Sequence, residues 1–275
     1  MKQYRYWFLG LVLAALTAWV VLVTQAGVAA ARPDNSLTYE IKANNGLLMR
    51  EVTGEVTAEI NGVPAEPADS FVHDGNGVTP IQNGFVRVKV DPVANTGTIF
   101  AQWRDENGNW TFRQSAFAPP DHPSGLKIGP SAASTELIVG DPVTTNVYLH
   151  GDTTAGGPVL PTVFNLLATW GPAEVTLNGQ PFENPYDGPA PLWVAHTMTT
   201  VGVRNDAGQV LTADGSGIFS PMNPGDGLVY DDEIEFHLVF HDAPGPQMTG
   251  NFPPPLSFFY HLTFQDVEVS IEGEK

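Results

Sequence analysis

His237 and His261 are the residues of this chain whose type and spacing best suit chemistry. An imidazole is neutral and available near pH 7, which makes it the commonest metal ligand. If Glu233–Asp242 is a strand, alternate side chains face opposite ways. Ile234, Phe236, Leu238 and Phe240 then make an apolar face, and Glu233, Glu235, His237, Val239 and His241 make the other. Ser257–Ile271 repeats the split, with Phe258, Tyr260, Leu262 and Phe264 set against Phe259, His261, Thr263 and Gln265. An antiparallel pairing closed by the loop from Ala243 to Leu256, with His241 opposite Ser257, places His237 opposite His261 and Glu235 opposite Thr263. Directly opposed side chains have Cβ atoms about 4.5–5.5 Å apart, close enough for two imidazoles to hold one ion.

Glu235 adds a carboxylate on the same face. Two histidines and one carboxylate form the ligand set of non-haem iron sites and of some zinc hydrolases. On another strand-like run, His196-x-Met198 offers a third imidazole and a thioether, which favours copper. The candidate metal ligands are therefore His237, His261, Glu235 and His196, with zinc, copper or iron ahead of calcium. His237 and His241 lie roughly 13 Å apart along a regular strand, too far to share an ion. Neither His-x-His nor His-Glu-x-x-His occurs. The plainer alternative is a set of histidines on the polar face of a sandwich, hydrogen-bonded to their neighbours.

Other chemistry has less support. Asp74-Gly75-Asn76-Gly77 and Asp105-Glu106-Asn107-Gly108-Asn109 have the composition of calcium loops but not the twelve-residue pattern, and hairpin turns are needed at both places. Asp226-Gly227 followed by Asp231-Asp232-Glu233 is a similar acidic turn. There is no Gly-x-Ser-x-Gly elbow, and Ser216 in Asp214-Gly215-Ser216-Gly217 reads as a turn residue. Glycine motifs that cradle phosphate are absent. Trp103, Trp110, Trp170, Trp193 and Tyr186 are the residues able to stack on sugar rings, although in a sandwich such side chains more often fill the core.

The elements that must position these residues read as strands throughout. Leu37–Ala43, Leu47–Ile60, Gly84–Asp91, Thr98–Arg104 and Trp110–Phe117 make a first set, joined by Asn61-Gly62, Asn76-Gly77, Asn83-Gly84 and Asn107-Gly108. Asn-Gly accepts the positive φ values of tight hairpins. Ala118–Gly125, with three prolines, cannot be a central strand. A second set follows: Thr135–Val139, Thr144–His150, Thr162–Trp170, Glu174–Leu177, Leu192–Arg204, Val210–Ala213, Glu233–Asp242 and Ser257–Ile271. The apolar parity of the last run flips near Gln265-Asp266, which predicts a β-bulge or a change of sheet. The expected fold is all-β, a sandwich or jelly roll, with a first domain over 32–118, a linker over 119–134 and a second domain over 135–275.

The N-terminus predicts the compartment. Lys2 and Arg5 precede an apolar run from Trp7 to Val23 and the small-residue pattern Ala29-Ala30-Ala31, the order of a secretory signal peptide over residues 1–31. The alternative is a retained membrane anchor. Either way the body is expected outside the cytoplasm: periplasmic, on the cell surface or extracellular. With no cysteine in the chain, a lipobox, disulfides, a thiolate nucleophile and a cysteine metal site are excluded. Thirty acids against twelve Lys and Arg give a net charge of −18, which disfavours nucleic acid and anionic membrane as partners. Three functions remain. The first is an exported binding protein, holding a divalent metal through these histidines. The second is an envelope or matrix protein that binds polysaccharide or itself. The third, least favoured, is a metal-dependent enzyme built on two histidines and a carboxylate.

Overall fold

A computed structural model of the chain describes residues 37–51, 58–60, 63–65, 75, 78–119, 141–151, 160–185, 192–220, 227–242 and 258–273. The predicted signal segment, nearly all of the 119–134 linker, Tyr186 and the Asp226 turn position lie outside the described residues.

Alternating apolar and polar residues form strands here as the sequence predicts, and every named element among the described residues is a strand. They run β1 (Thr38–Glu51), β2 (Ala58–Ile60), β3 (Val63–Ala65), β4 (Thr79–Pro80), β5 (Gln82–Asp91), β6 (Thr96–Asp105) and β7 (Gly108–Gln114). Then follow β8 (Val143–Leu149), β9 (Val163–Leu177), β10 (Gln180–Pro181), β11 (Trp193–Gly202), β12 (Tyr230–His241) and β13 (Phe259–Glu272).

In place of the expected sandwich, eight of these strands close into an antiparallel barrel. The order β9-β11-β12-β13-β1-β5-β6-β7 is completed by pairing of β7 with β9. The long β9 makes closure possible. Its end, Glu174–Leu177, pairs with β7, while Val163–Thr169 pairs with β8. A closed sheet leaves no unpaired edge along these ladders. Strands from both sides of the 119–134 segment share this barrel, and residues 37–275 form one compact unit. The two-domain division expected from composition is therefore corrected: the prolines interrupt one sheet and do not separate two.

Two turn expectations have different outcomes. Asn178-Gly179 is the predicted tight hairpin, with φ of 54° and 77° and Leu177 paired to Gln180. Asn83-Gly84 is instead inside β5, where Asn83 (φ 51°) makes a bulge opposite β6. The same conformational tolerance serves a kink rather than a turn. The predicted parity flip in β13 is present. Phe264 is buried on one side of Gln265-Asp266 and Val267 and Val269 pack inward on the other, beside Asn45 at φ 54°.

Inside the barrel lie Ile41, Val86, Val88, Ile99, Phe112, Phe236, Leu262 and a cluster of large aromatic rings. Trp103 stacks on Trp110 at 5.8 Å, and Tyr260 and Phe240 pack against both. Trp103, Trp110, Trp170 and Trp193 are all buried, so these four are not available to stack on a sugar. Burial of so much ring area supplies a large share of the folding free energy. One polar chain crosses this interior. Trp103 Nε1 donates to Tyr260 Oη at 2.8 Å, and Tyr260 Oη donates to Asp105 Oδ2 at 2.9 Å.

The two halves of the barrel wall differ in a way that sets up the site. In β5, β6 and β7 buried residues alternate with more open ones, as in a sheet with one wet face. Glu235 to Phe240 of β12 and Phe259 to Phe264 of β13 are instead buried at every position. A second apolar cluster covers their outer face: Val147 and Leu149 of β8, with Leu160, Val203, Val210 and Phe219, pack on Ala168, Trp170 and Met198. Polar residues on the outside of this half of the wall are thus as dry as the core.

Replacing Tyr260 with Phe should test the interior polar chain. The ring packing stays, but Trp103 Nε1 loses its acceptor in a buried place. We expect a loss of about 1–3 kcal/mol in urea unfolding, and an unchanged midpoint would contradict the assignment.

Candidate functional site

The outer face of the covered wall is made of rows that run across three strands. Met198 of β11, His237 of β12 and Thr263 of β13 are neighbours in one row. Thr200 and Glu235 make the next, and His196, Val239 and His261 make the row on the other side. The sequence expectation of His237 opposite His261 is corrected by two residues: His237 faces Thr263, and His261 faces Val239. A slip of two keeps every side chain on its face, so the expected neighbours survive as a diagonal pair. Pairing of Phe236 with Phe264 inside the barrel goes with this register, since both rings lie in the core.

His237 Nδ1 and His261 Nε2 are 3.1 Å apart and share a hydrogen bond, and Thr263 Oγ1 lies 3.2 Å from the same Nδ1. The other ring nitrogen, His237 Nε2, lies 3.1 Å from Glu235 Oε2. That contact is close but off-axis, for neither atom has a hydrogen-bond partner of acceptable geometry although both are fully buried. Glu235 Oε1 accepts the Arg204 backbone N–H at 3.1 Å. Glu235 therefore has one oxygen anchored and the other turned to His237.

His196 shares the face but points elsewhere. Its Nδ1 donates to the Thr169 carbonyl at 2.9 Å, and its ring stacks on Trp170 at 4.6 Å. His241, at the strand end, sets its Nδ1 against the Asp242 carbonyl and its ring on Phe259. Of the four predicted ligands, His237, His261 and Glu235 come together and His196 stands one row away.

Two residues that the sequence reading passed over complete the cluster. His150, at the end of β8, is buried and sets Nε2 3.1 Å from Met198 Sδ. Its φ of 63° and that of Gly151 at 51° make two consecutive left-handed residues. A Cβ on Gly151 would meet the Thr162 backbone nitrogen at 2.3 Å, so only glycine fits there. The dipeptide His-Gly at a strand end was the available sequence signal. Arg204 is the second. It is 2% exposed and donates through Nη1 to the Gly208 carbonyl, and burial pulls its guanidinium down to about 10 against the opposing effect of Glu235.

This setting keeps His261 neutral. Burial holds its imidazole well below the usual range, helped by His237, Arg204, His150 and His196. A neutral His261 can accept the Nδ1 proton of His237, which leaves His237 Nε2 as a bare lone pair facing Glu235. Among the described residues no three His, Asp or Glu side chains already surround one point in the manner of a formed metal centre. The two best-formed surface hollows, around Asn45, Ile81 and Gln265 and around Lys42 and Phe100, do not include this cluster. Ser216 is the turn residue that the sequence predicts. Its N–H and hydroxyl both bond Asp214, which these bonds hold down at about 2. Asp105 likewise spends an oxygen on the Asn107 and Gly108 N–H groups of its hairpin.

The chain matches no family model, and no curated protein or solved structure resembles it significantly.

His261 gives the metal-free protein a pH dependence of defined sign. Its folded-state value lies below 6.5, so between that value and 6.5 the unfolded chain binds more protons, and stability falls as the solution is acidified. The slope from this group is about 1.4 kcal/mol per pH unit. Urea midpoints from pH 7.5 to 5, in the presence of a chelator, should fall less steeply in His261→Gln than in the parent. Equal slopes would contradict a neutral buried His261.

Proposed function

We propose that this protein is an exported binding protein that holds a transition-metal ion through His237 Nε2 and Glu235 Oε2. The observation that carries the reading is the pair of buried, unsatisfied atoms 3.1 Å apart. An ion about 2.0–2.2 Å from an imidazole nitrogen and a carboxylate oxygen leaves those atoms about 3.0–3.4 Å apart at angles from square to tetrahedral. The spacing fits an ion between them, and the poor hydrogen-bond angle suits lone pairs directed at a third point. Left empty, each such atom costs about 1–3 kcal/mol of desolvation.

His261 takes a different role from the one its sequence position suggested. It sits on the far nitrogen of His237, where ligating histidines commonly have a partner that fixes the ring and its tautomer. It orients the ligand and does not itself bind the ion at this point. Arg204 does the same for Glu235 through its backbone N–H.

Binding fits better than catalysis. Among the described residues the cluster is buried on both sides, with no hollow to admit an organic substrate, and a bare ion needs none. Export follows from the N-terminal charge, apolar run and small-residue pattern, and the acidic chain raises local cation concentration. The alternative of a polysaccharide-binding envelope protein loses its tryptophan candidates to the core.

Calorimetric titration of the mature protein with zinc and copper at neutral pH tests the reading. Stoichiometric binding should vanish in Glu235→Gln/His237→Gln and weaken by about 10–100-fold in His261→Gln, the usual effect of losing a partner of a metal ligand. Undiminished binding in the double variant would overturn it.

A further inference from the structure

We infer that His150 and Met198 complete the coordination set and make the site selective for copper(I). This rests on the metal-binding reading above and deepens it by naming the ion. Met198 is the cross-strand neighbour of His237, as Thr200 is of Glu235, so the thioether borders the imidazole that carries the unsatisfied nitrogen. His150 arrives from the covering layer and sets its Nε2 against that sulfur at 3.1 Å. A ring nitrogen and a thioether are a weak hydrogen-bonding pair, yet both are buried and pressed together. The backbone that delivers His150 is costly. A non-glycine residue in the left-handed region, followed by a glycine that no other residue can replace, places this imidazole and nothing else in the cluster.

The donors decide the ion. With His237, His150 and Met198 the set holds two neutral imidazoles and a thioether, and thioether sulfur selects copper(I) over zinc. Charge points the same way. The one carboxylate, Glu235, already faces the Arg204 cation, so the cluster offers little surplus negative charge to a divalent ion. A monovalent ion bound by neutral donors asks for less. No electron transfer is required of the site: copper enters and leaves in one oxidation state.

Anaerobic titration with copper(I) against a chromophoric chelator, beside zinc titration of the same samples, separates the claims. The parent should hold copper(I) more tightly than zinc. Met198→Leu and His150→Gln should each weaken copper(I) by at least about tenfold, the order that losing even an outer partner of a ligand costs. Met198→Leu should leave zinc affinity within a factor of about two, because leucine keeps the volume and removes only the sulfur. Urea midpoints of the metal-free variants establish that both fold. Copper(I) affinity unchanged by Met198→Leu and His150→Gln, with zinc and copper still lost in Glu235→Gln/His237→Gln, overturns this inference and leaves the binding reading standing. Binding of neither ion to the parent overturns both.

Discussion

A carboxyl oxygen and an imidazole nitrogen, both out of reach of water, lie 3.1 Å apart without a hydrogen bond between them. Buried polar atoms are nearly always satisfied, and those that are not ask for a reason. Everything around this contact holds it in place. The Arg204 backbone fixes one Glu235 oxygen, His261 and Thr263 hold the far side of the His237 ring, and strand register fixes both side chains two residues apart on one face. A pair so constrained cannot relax into a better hydrogen bond without moving the barrel wall. An ion is the occupant that suits both lone pairs at once.

The wall that carries the contact exists because the barrel has a second layer. A strand buried on one face can place polar residues only in solvent, where their pairings are worth little. Here β8 and residues 203–229 cover the outside of β11, β12 and β13 with their own apolar cluster. The same layer supplies His150 and Arg204, so covering the site and furnishing it are one structural act. The price is a set of buried polar groups whose desolvation must be offset, and the barrel's aromatic interior provides the stability that tolerates them.

Much of this was legible in the sequence because period-two alternation is a local property. It gave the strands, the Asn178-Gly179 hairpin, the parity flip in β13 and the shared face of Glu235, His237 and His261. Properties that depend on distant parts of the chain were not legible. Closure rests on β9 reaching both β7 and β8, which no local pattern encodes, and it turned an expected pair of sandwiches into one barrel. Register was mistaken by two because the core rings Phe236 and Phe264, not the turn, set it. His150 lies more than eighty residues before His237, and only the covering layer brings the two near one another. The tryptophans looked like a sugar platform because sequence cannot distinguish an exposed ring from a buried one.

The central claim is that His237 presents Nε2 to an ion and keeps Nδ1 for His261. Long-range proton–nitrogen correlation NMR of the imidazoles, before and after addition of diamagnetic copper(I), reads each nitrogen separately. The account predicts that His237 Nε2 moves from the unprotonated to the metal-bound range while Nδ1 stays protonated and His261 remains neutral and unligated. Metal-induced change at His237 Nδ1 or His261 Nε2, with His237 Nε2 unaltered, would contradict it.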